Sequence, residues 1–220
     1  MTEFEWPADP EDNRQYCRLE QLNPGWWQLA VELSRRRGEI FPGITVSAKG
    51  IELLWWGQSV CVLPETKSIV SLTDESRKIT YQEGLVILGL LSYASSHESL
   101  PPAQGLVTAG HLKGGTIFFR GPHVMASVLI ARHFARDGKA FLDRGLALGG
   151  ASSAYGEYGI EFSWFPGLSW IVALWEADDE FDARAEYLFD RNIEAIFALD
   201  VIWALGNITA RKIIGGSSQR

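Results

Sequence analysis

Residues 157–175 read Glu157-Tyr-Gly-Ile-Glu-Phe-Ser-Trp-Phe-Pro-Gly-Leu-Ser-Trp-Ile-Val-Ala-Leu-Trp175. Up to Trp164 every second side chain is aromatic or aliphatic, which is the two-residue period of a β-strand. Pro166-Gly167 is a turn signal. The following segment, Leu168–Trp175, is apolar at almost every position, as in a strand that is covered on both faces. Two strands joined by a short turn predict an antiparallel hairpin over these residues.

Residues 44–72 show the same two-residue period in four short segments. Three turn signals separate the segments, and each of them contains glycine or proline. Consecutive short strands with tight turns predict an antiparallel meander. The predicted strands are 44–46, 51–55, 59–63 and 68–72.

Segments with the sequence signals of helices lie before and after these strands in the sequence. Asn23-Pro24 and Gly38 mark the start and the end of a first helix. Thr80 and Glu83 form a capping box for a second helix over 81–94, whose faces are nearly all apolar, so we expect it to be the buried central helix. Further predictions are a strand at 116–120, helices over 122–136 and 139–148, a helix capped by Asp190 and a last helix capped by Asp200.

Strand-rich and helix-rich stretches are segregated along the chain. This arrangement favours an α+β fold over a doubly wound parallel sheet. We therefore predict an α+β fold in which one or more antiparallel sheets carry helices packed mainly on one face. The predicted organisation is a loose acidic arm over residues 1–22, a single globular domain over 23–214 and a frayed tail over 215–220.

The composition restricts the partners of the chain. Its 220 residues carry a formal charge of -7, whereas nucleic acids and anionic membranes require a basic face. The longest apolar stretch, around residues 85–94, is shorter than the roughly 20 residues that span a bilayer, and the N-terminus lacks the apolar segment of a secretory signal. Cys17 and Cys61 are too few for a disulfide framework. We expect a soluble cytoplasmic protein that binds neither nucleic acid nor membrane.

Five short motifs follow one another in a specific order and spacing. They are Gly110-His-Leu-Lys-Gly-Gly115, Ala147-Leu-Gly-Gly150, Phe165-Pro-Gly-Leu168, Leu174-Trp-Glu-Ala-Asp-Asp-Glu-Phe181 and Leu188-Phe-Asp190. By these motifs the chain resembles, from about residue 44 to residue 205, an uncharacterised prokaryotic family, domain of unknown function 3786. The resemblance implies a setting in anaerobic bacteria and archaea but no known activity.

The same resemblance raises the question of a metal cluster. Some members of that family carry an N-terminal cysteine-rich segment of the kind that ligates an iron–sulfur cluster. Such a cluster takes about four thiolates, and Cys17 is the only cysteine before residue 44. We therefore expect no iron–sulfur cluster in this chain, and the sequence identifies no other cofactor.

An acidic run follows the second strand of the predicted hairpin. Glu176, Asp178, Glu180 and Asp182 alternate, so an extended chain would place them on one side about 6.5–7 Å apart. Carboxylates gathered in this way bind Mg²⁺, Ca²⁺ or Mn²⁺. The alternative is a solvated turn with Phe181 tucked inward. The candidate metal ligands are Glu176, Asp178, Asp179 and Glu180.

The glycine-rich turn at residues 110–115 supplies a second candidate site. Its backbone N–H groups could bind an anion, with His111 and Lys113 beside them; the alternative is an ordinary tight turn. Trp175 ends a buried strand where the chain enters solvent, and such loop junctions often carry binding groups. The candidate ligand-binding residues are His111, Lys113, Gly114, Gly115 and Trp175.

No nucleophile elbow, P-loop or dinucleotide motif occurs in the sequence. No catalytic residue is therefore assigned, and the sequence does not decide whether the chain is an enzyme. The leading hypothesis is a non-catalytic cytoplasmic binding or accessory module of anaerobic metabolism, which handles a cofactor, a small molecule or a redox partner. One alternative is a hydrolase that uses a divalent metal at residues 176–182. Another is a structural protein-interaction domain.

Overall fold

The two strand-rich regions form two separate antiparallel sheets in the computed structural model, which describes residues 17–215. In the first sheet each strand pairs with the next one along the chain, in the order β1-β2-β3-β4-β5. The meander predicted over 44–72 is confirmed, and one further strand precedes it. The strands are β1 Gly38–Phe41, β2 Ile44–Val46, β3 Ile51–Trp55, β4 Gln58–Leu63 and β5 Ser68–Ser71.

The predicted hairpin at 157–175 is the centre of the second sheet, whose order is β6-β10-β9-β8-β7. Its second strand, β9, pairs with β8 on one side and with β10 on the other. This central position explains why β9 is apolar at almost every residue. The strands are β6 Leu106–Val107, β7 Ala151–Ser153, β8 Tyr158–Phe165, β9 Leu168–Trp175 and β10 Arg184–Asp190.

Residues 17–215 contain seven α-helices, which pack against the sheets and against one another. The helix α2 packs between α1 and α7, α4 packs on β10, and α5 packs on β8. The helices are α1 Pro24–Ser34, α2 Tyr81–Ala94, α3 Gly115–Phe118, α4 Ser127–His133, α5 Gly138–Ala147, α6 Ile193–Ile196 and α7 Leu199–Ile214.

The helix α2 is the buried central helix that the sequence predicts. The Thr80 hydroxyl accepts a hydrogen bond from the backbone N–H of Glu83, and the Glu83 carboxylate accepts one from the backbone N–H of Thr80. This reciprocal capping satisfies two N–H groups that a helix otherwise leaves unpaired. The apolar residues Val86, Ile87, Leu88, Leu90 and Leu91 of α2 are all 0% exposed.

Two neighbouring tryptophans connect the sheets. The ring of Trp55 packs edge-on against that of Trp164 on β8, with ring centroids 5.9 Å apart. The backbone N–H of Trp56 donates to the carbonyl of Trp164 at 3.0 Å. The Trp55 indole N–H donates to the Glu83 carboxylate at 2.9 Å. The first sheet, the second sheet and α2 therefore meet at one buried apolar core.

The α+β class with antiparallel sheets is confirmed, but two local predictions are wrong. Residues 116–120 do not form a strand, because Gly114 takes a left-handed conformation (φ 80°) at the start of α3. The helix predicted over 122–136 is interrupted: a 3-10 helix spans Gly121–His123, Val124 is extended with ψ at 135°, and α4 begins only at Ser127.

The two predicted aspartate caps are also wrong. Asp190 ends β10, and its carboxylate accepts hydrogen bonds of 2.9 Å from the backbone N–H groups of Gln104 and Gly105. It therefore fixes the loop that precedes β6. Asp200 lies inside the first turn of α7, where a negative charge complements the helix dipole.

Most of the predicted acidic arm, residues 1–16, and most of the predicted tail, residues 216–220, lie outside the described residues. The described part of the arm includes the 3-10 helix Leu19–Gln21, and Leu22 beside it is buried. Among the helices between residues 17 and 215, none has both the length and the apolar character that crossing a bilayer requires.

Candidate functional site

A cleft of about 780 Å³ opens between α4, α3 and the first residues of β10. One wall is a face of α4 and the residues just after it, from Ser127 to Ala135. The opposite wall is formed by Ala177 and residues 182–186, and the loop that contains α3 closes a third side. This volume is typical of a site for a small ligand or a short peptide segment.

Eight of the 19 residues that line the cleft are alanine or glycine, so the protein backbone lies close to the surface of the cleft at these positions. Gly115 is required by the packing, because a Cβ atom at this position would lie 2.0 Å from the carbonyl oxygen of Ala109. A larger residue would therefore displace the turn before α3. The small lining residues are Ala109, Gly110, Gly115, Ala131, Ala135, Ala177, Ala183 and Ala185.

Three arginines, Arg120, Arg132 and Arg184, line the cleft, and all are exposed. The two ion pairs found between residues 17 and 215 involve other residues, so none of these guanidinium groups forms a close ion pair with a carboxylate in that range. The Arg184 guanidinium lies 4.1 Å from the ring centroid of Trp175, its partner across the β9–β10 ladder. Stacking of this kind fixes the plane of the group and leaves its N–H edge available to a ligand.

Two carboxylates also line the cleft. Asp182 is exposed, whereas Glu186 is half-buried. Burial raises the pKa of the Glu186 carboxyl above its ordinary value, and the positive charge of Arg184 opposes this effect only in part. The cleft thus presents more positive than negative side chains, on a chain whose formal charge is -7.

The glycine-rich turn predicted as a binding site lies at the edge of this cleft. Gly115 lines the cleft, and Gly114 precedes it as the N-cap of α3. His111 and Lys113 do not line it: the His111 ring nitrogen Nδ1 lies 2.9 Å from the Thr108 hydroxyl, and the Lys113 backbone N–H donates to Glu194 at 3.0 Å. Trp175 contributes indirectly by supporting Arg184.

The carboxylates proposed as metal ligands have separate backbone partners. Glu176 accepts a hydrogen bond from the backbone N–H of Gly138, at the start of α5. The Oδ1 atom of Asp178 accepts from the backbone N–H groups of Glu180 (2.8 Å) and Phe181 (2.7 Å). These bonds lower the pKa of the Asp178 carboxyl below its ordinary value.

The acidic run therefore forms a turn. Asp179 and Glu180 are exposed, and Phe181 is 70% exposed rather than tucked inward. Between residues 17 and 215, no group of three or more His, Cys, Asp or Glu side chains is arranged to hold a metal ion. The assignment of Glu176, Asp178, Asp179 and Glu180 to a metal stays a prediction.

The model of the family described as "Domain of unknown function (DUF3786)" matches residues 42–212. The chain belongs to this family. No curated protein and no solved structure matches the chain. The resemblance read from the five motifs is thereby confirmed. The matched DUF3786 region contains every residue that lines the cleft, from 109 to 186.

Sequence reasoning missed the cleft and its arginines. A signal for β10 existed, because the apolar residues Ala185, Tyr187 and Phe189 recur at every second position and would have placed Arg184 and Glu186 together on the other face. No local signal existed for the other two arginines, since the packing of α4 on β10 brings Arg132 into the cleft. In this DUF3786 member, the site is therefore a product of tertiary packing.

Proposed function

We propose that this chain is a non-catalytic binding module whose cleft holds an anionic group of its ligand. The observation that carries the proposal is the set of three arginines, Arg120, Arg132 and Arg184, none of which forms a close ion pair with a carboxylate between residues 17 and 215. A guanidinium group binds a carboxylate or a phosphate through two parallel N–H···O bonds. These three positive charges are opposite in sign to the formal charge of the whole chain, which is -7.

The shape and composition of the cleft support the same assignment. A volume of about 780 Å³ and a lining of alanine and glycine let a ligand approach the backbone closely. The stacking of Arg184 on Trp175 holds one of the three cations in place before a ligand arrives. A preformed cation of this kind reduces the conformational entropy that binding would otherwise cost.

Binding is better supported than metal-dependent hydrolysis. The carboxylates of Glu176 and Asp178 accept hydrogen bonds from backbone N–H groups, and neither residue lines the cleft. A hydrolase that used the acidic run would need these groups to face a bound metal and a substrate together.

The proposed setting is the cytoplasm of an anaerobic prokaryote, where the module serves cofactor or redox metabolism. The free thiol of the buried Cys61 fits a reducing compartment. The anaerobic setting follows from the family resemblance. The formal charge of -7 argues against nucleic acid as the anionic ligand.

Calorimetric titration with inorganic phosphate, pyrophosphate and citrate at low salt tests the proposal. We expect at least one of these anions to bind, and binding to weaken as salt screens the charges. Replacing both Arg120 and Arg132 by alanine should weaken it by about tenfold or more, because each change removes charged hydrogen bonds. The matched control is Arg136→Ala, an exposed arginine near α4 that does not line the cleft. Failure of all three anions, or an equal loss in the control, would contradict the proposal.

A further inference from the structure

Apolar side chains line one end of the cleft. Val124 and Val128 both line it, and they are 43% and 46% exposed. Met125 also lines the cleft but is buried, because it packs on α7: a Cβ atom at Gly206 would lie 2.8 Å from its terminal methyl carbon. Phe119, directly after α3, adds a half-buried aromatic ring. Exposed apolar surface inside a concave site is the kind of surface that holds the apolar part of a ligand.

This apolar end of the cleft is supported by contacts behind it. The carbonyl of Val124 accepts a hydrogen bond of 3.2 Å from the indole N–H of Trp203 on α7. The Phe119 ring packs edge-on against Phe118 with ring centroids 5.1 Å apart, and the Phe118 ring stacks on His123 at 4.6 Å. A surface that neighbouring groups support in this way is formed before the ligand arrives, which lowers the entropy that binding costs.

Two of the cleft arginines lie at the opposite end. Val128 is in the first turn of α4 and Arg132 is in the last turn, so the wall that α4 forms changes from apolar to cationic along the helix. The carbonyl of Ala135, just after α4, accepts a hydrogen bond of 2.7 Å from the backbone N–H of Ala177. Ala177 follows by two residues the tryptophan on which Arg184 stacks. Arg132 and Arg184 therefore share one end of the cleft.

The lining of the cleft carries an excess of one positive charge. Its three arginines stand against two carboxylates, Asp182 and Glu186. The third arginine, Arg120, directly follows Phe119 in the sequence and so adjoins the apolar end. A ligand with a single negative charge complements the cleft as a whole.

We infer that the ligand of the cleft is an amphiphilic monoanion, in which a short carbon spacer joins an apolar group to one carboxylate. The apolar group lies against Phe119, Val124 and Val128, and the carboxylate binds Arg132 and Arg184. Val128 and Arg132 are four residues apart on α4, a rise of about 6 Å that a short spacer bridges. This inference rests on the proposed function, since it uses the same arginines, and it adds the chemical class of the ligand.

Calorimetric titration of the full chain at low salt with three probes tests the inference. The probe 3-phenylpropionate carries a ring and a carboxylate, propionate carries the carboxylate without the ring, and 3-phenylpropylamine carries the ring with a positive charge. We expect 3-phenylpropionate to bind about tenfold more tightly than propionate, because the cleft removes the ring from water. The amine should not bind, because the arginines repel it.

Protein variants test where the two parts of the ligand lie. Replacing Val124 and Val128 together by threonine, which has nearly the same shape, should weaken the binding of 3-phenylpropionate about fivefold and leave that of propionate unchanged. The matched control is Val70→Thr on β5, a valine that is 39% exposed and does not line the cleft. Arg132→Ala should weaken the binding of both carboxylates about tenfold. Melting curves check that each variant is folded.

The outcomes separate this inference from the proposed function. If phosphate, pyrophosphate or citrate binds but 3-phenylpropionate binds no more tightly than propionate, the amphiphilic ligand is overturned and the anion site stands. The same holds if the double valine variant binds 3-phenylpropionate as the parent does. Binding of 3-phenylpropylamine as tight as that of 3-phenylpropionate would show that the carboxylate is not recognised, and it would also overturn the inference. If none of the anions binds, both proposals fail.

Discussion

Glu186 and Arg184 lie two residues apart on β10, but their side chains are in different environments. The Arg184 guanidinium stacks on Trp175 and remains exposed. The Glu186 carboxyl is half-buried, and burial raises its pKa. When Glu186 is ionised, its negative charge weakens the positive potential that the three cleft arginines create. This residue therefore affects both the stability of the fold and the affinity of the cleft for anions.

The first prediction is that Glu186→Gln stabilises the protein near neutral pH. A carboxyl whose pKa is higher in the folded than in the unfolded state favours folding when protonated, and this contribution is lost as the pH rises through the folded-state pKa. Glutamine resembles the protonated form at every pH. The variant should melt at a higher temperature than the parent near pH 7, and the difference should vanish below about pH 4, where both states of the parent are protonated.

Melting curves across this pH range, for the parent and the variant, measure the effect. The control is Glu161→Gln, an exposed glutamate on β8 of the same sheet. An equal melting temperature of parent and Glu186→Gln at neutral pH would contradict the prediction, as would a difference that grows at low pH.

The second prediction concerns the metal hypothesis for the acidic turn. Both hydrogen bonds to Asp178 use Oδ1, so Oδ2 faces no protein donor within residues 17–215. If the turn binds a hard cation, Mg²⁺, Mn²⁺ or Ca²⁺ should raise the melting temperature, since a ligand bound only to the folded state stabilises it. Replacing Asp178 and Asp179 together by asparagine should abolish that rise while keeping the Oδ1 acceptor of the turn. A parent protein that is indifferent to millimolar levels of all three cations would end the hypothesis.

Among the secondary-structure elements, those with a regular period and tight turns follow from the sequence, and those shaped by tertiary contacts do not. The hairpin β8–β9 and the capping box of α2 are confirmed because their signals are local. The helix α3 escaped prediction since it depends on the close approach of Gly115 to Ala109. The strand β10 directly follows the acidic turn, and this turn made the two-residue period of β10 hard to recognise in the sequence. The cleft needs both of these elements, and it was therefore missed with them.

The third prediction tests the central helix. Leu88→Ala should destabilise the protein by about 2–5 kcal/mol, because the side chain is 0% exposed and its removal leaves a cavity in the core. The matched control is Leu54→Ala on β3, where the leucine is 45% exposed and the loss should be much smaller. Urea denaturation of both variants gives the two free energies. A cost below about 1 kcal/mol for Leu88→Ala would mean that the surroundings of α2 collapse to fill the cavity.

Glu83 joins parts of the molecule that are distant in sequence. Its carboxylate accepts hydrogen bonds from the Trp55 indole of the first sheet and from the Thr80 backbone, and it pairs with Arg77. Trp55 in turn packs against Trp164 of the second sheet. The buried charge of Glu83 is thus stabilised by groups from several elements, and its loss leaves the Arg77 guanidinium with the neutral Gln58 side chain but without its carboxylate.

The last prediction is that Glu83→Ala destabilises both sheets together, by about 3–5 kcal/mol, because breaking a buried ion pair leaves an uncompensated charge. Residues 23–214 were predicted to form one domain, and one domain unfolds as one cooperative unit. Amide hydrogen exchange at Val62 of β4 and Val172 of β9 reports on the two sheets separately, since both residues are fully buried on strands that pair with a neighbour on each side. Exchange at both amides should accelerate by the same factor in the variant, whereas Glu32→Ala on the exposed side of α1 should change neither. Acceleration at Val62 alone would show that the sheets unfold independently and would divide the predicted domain in two.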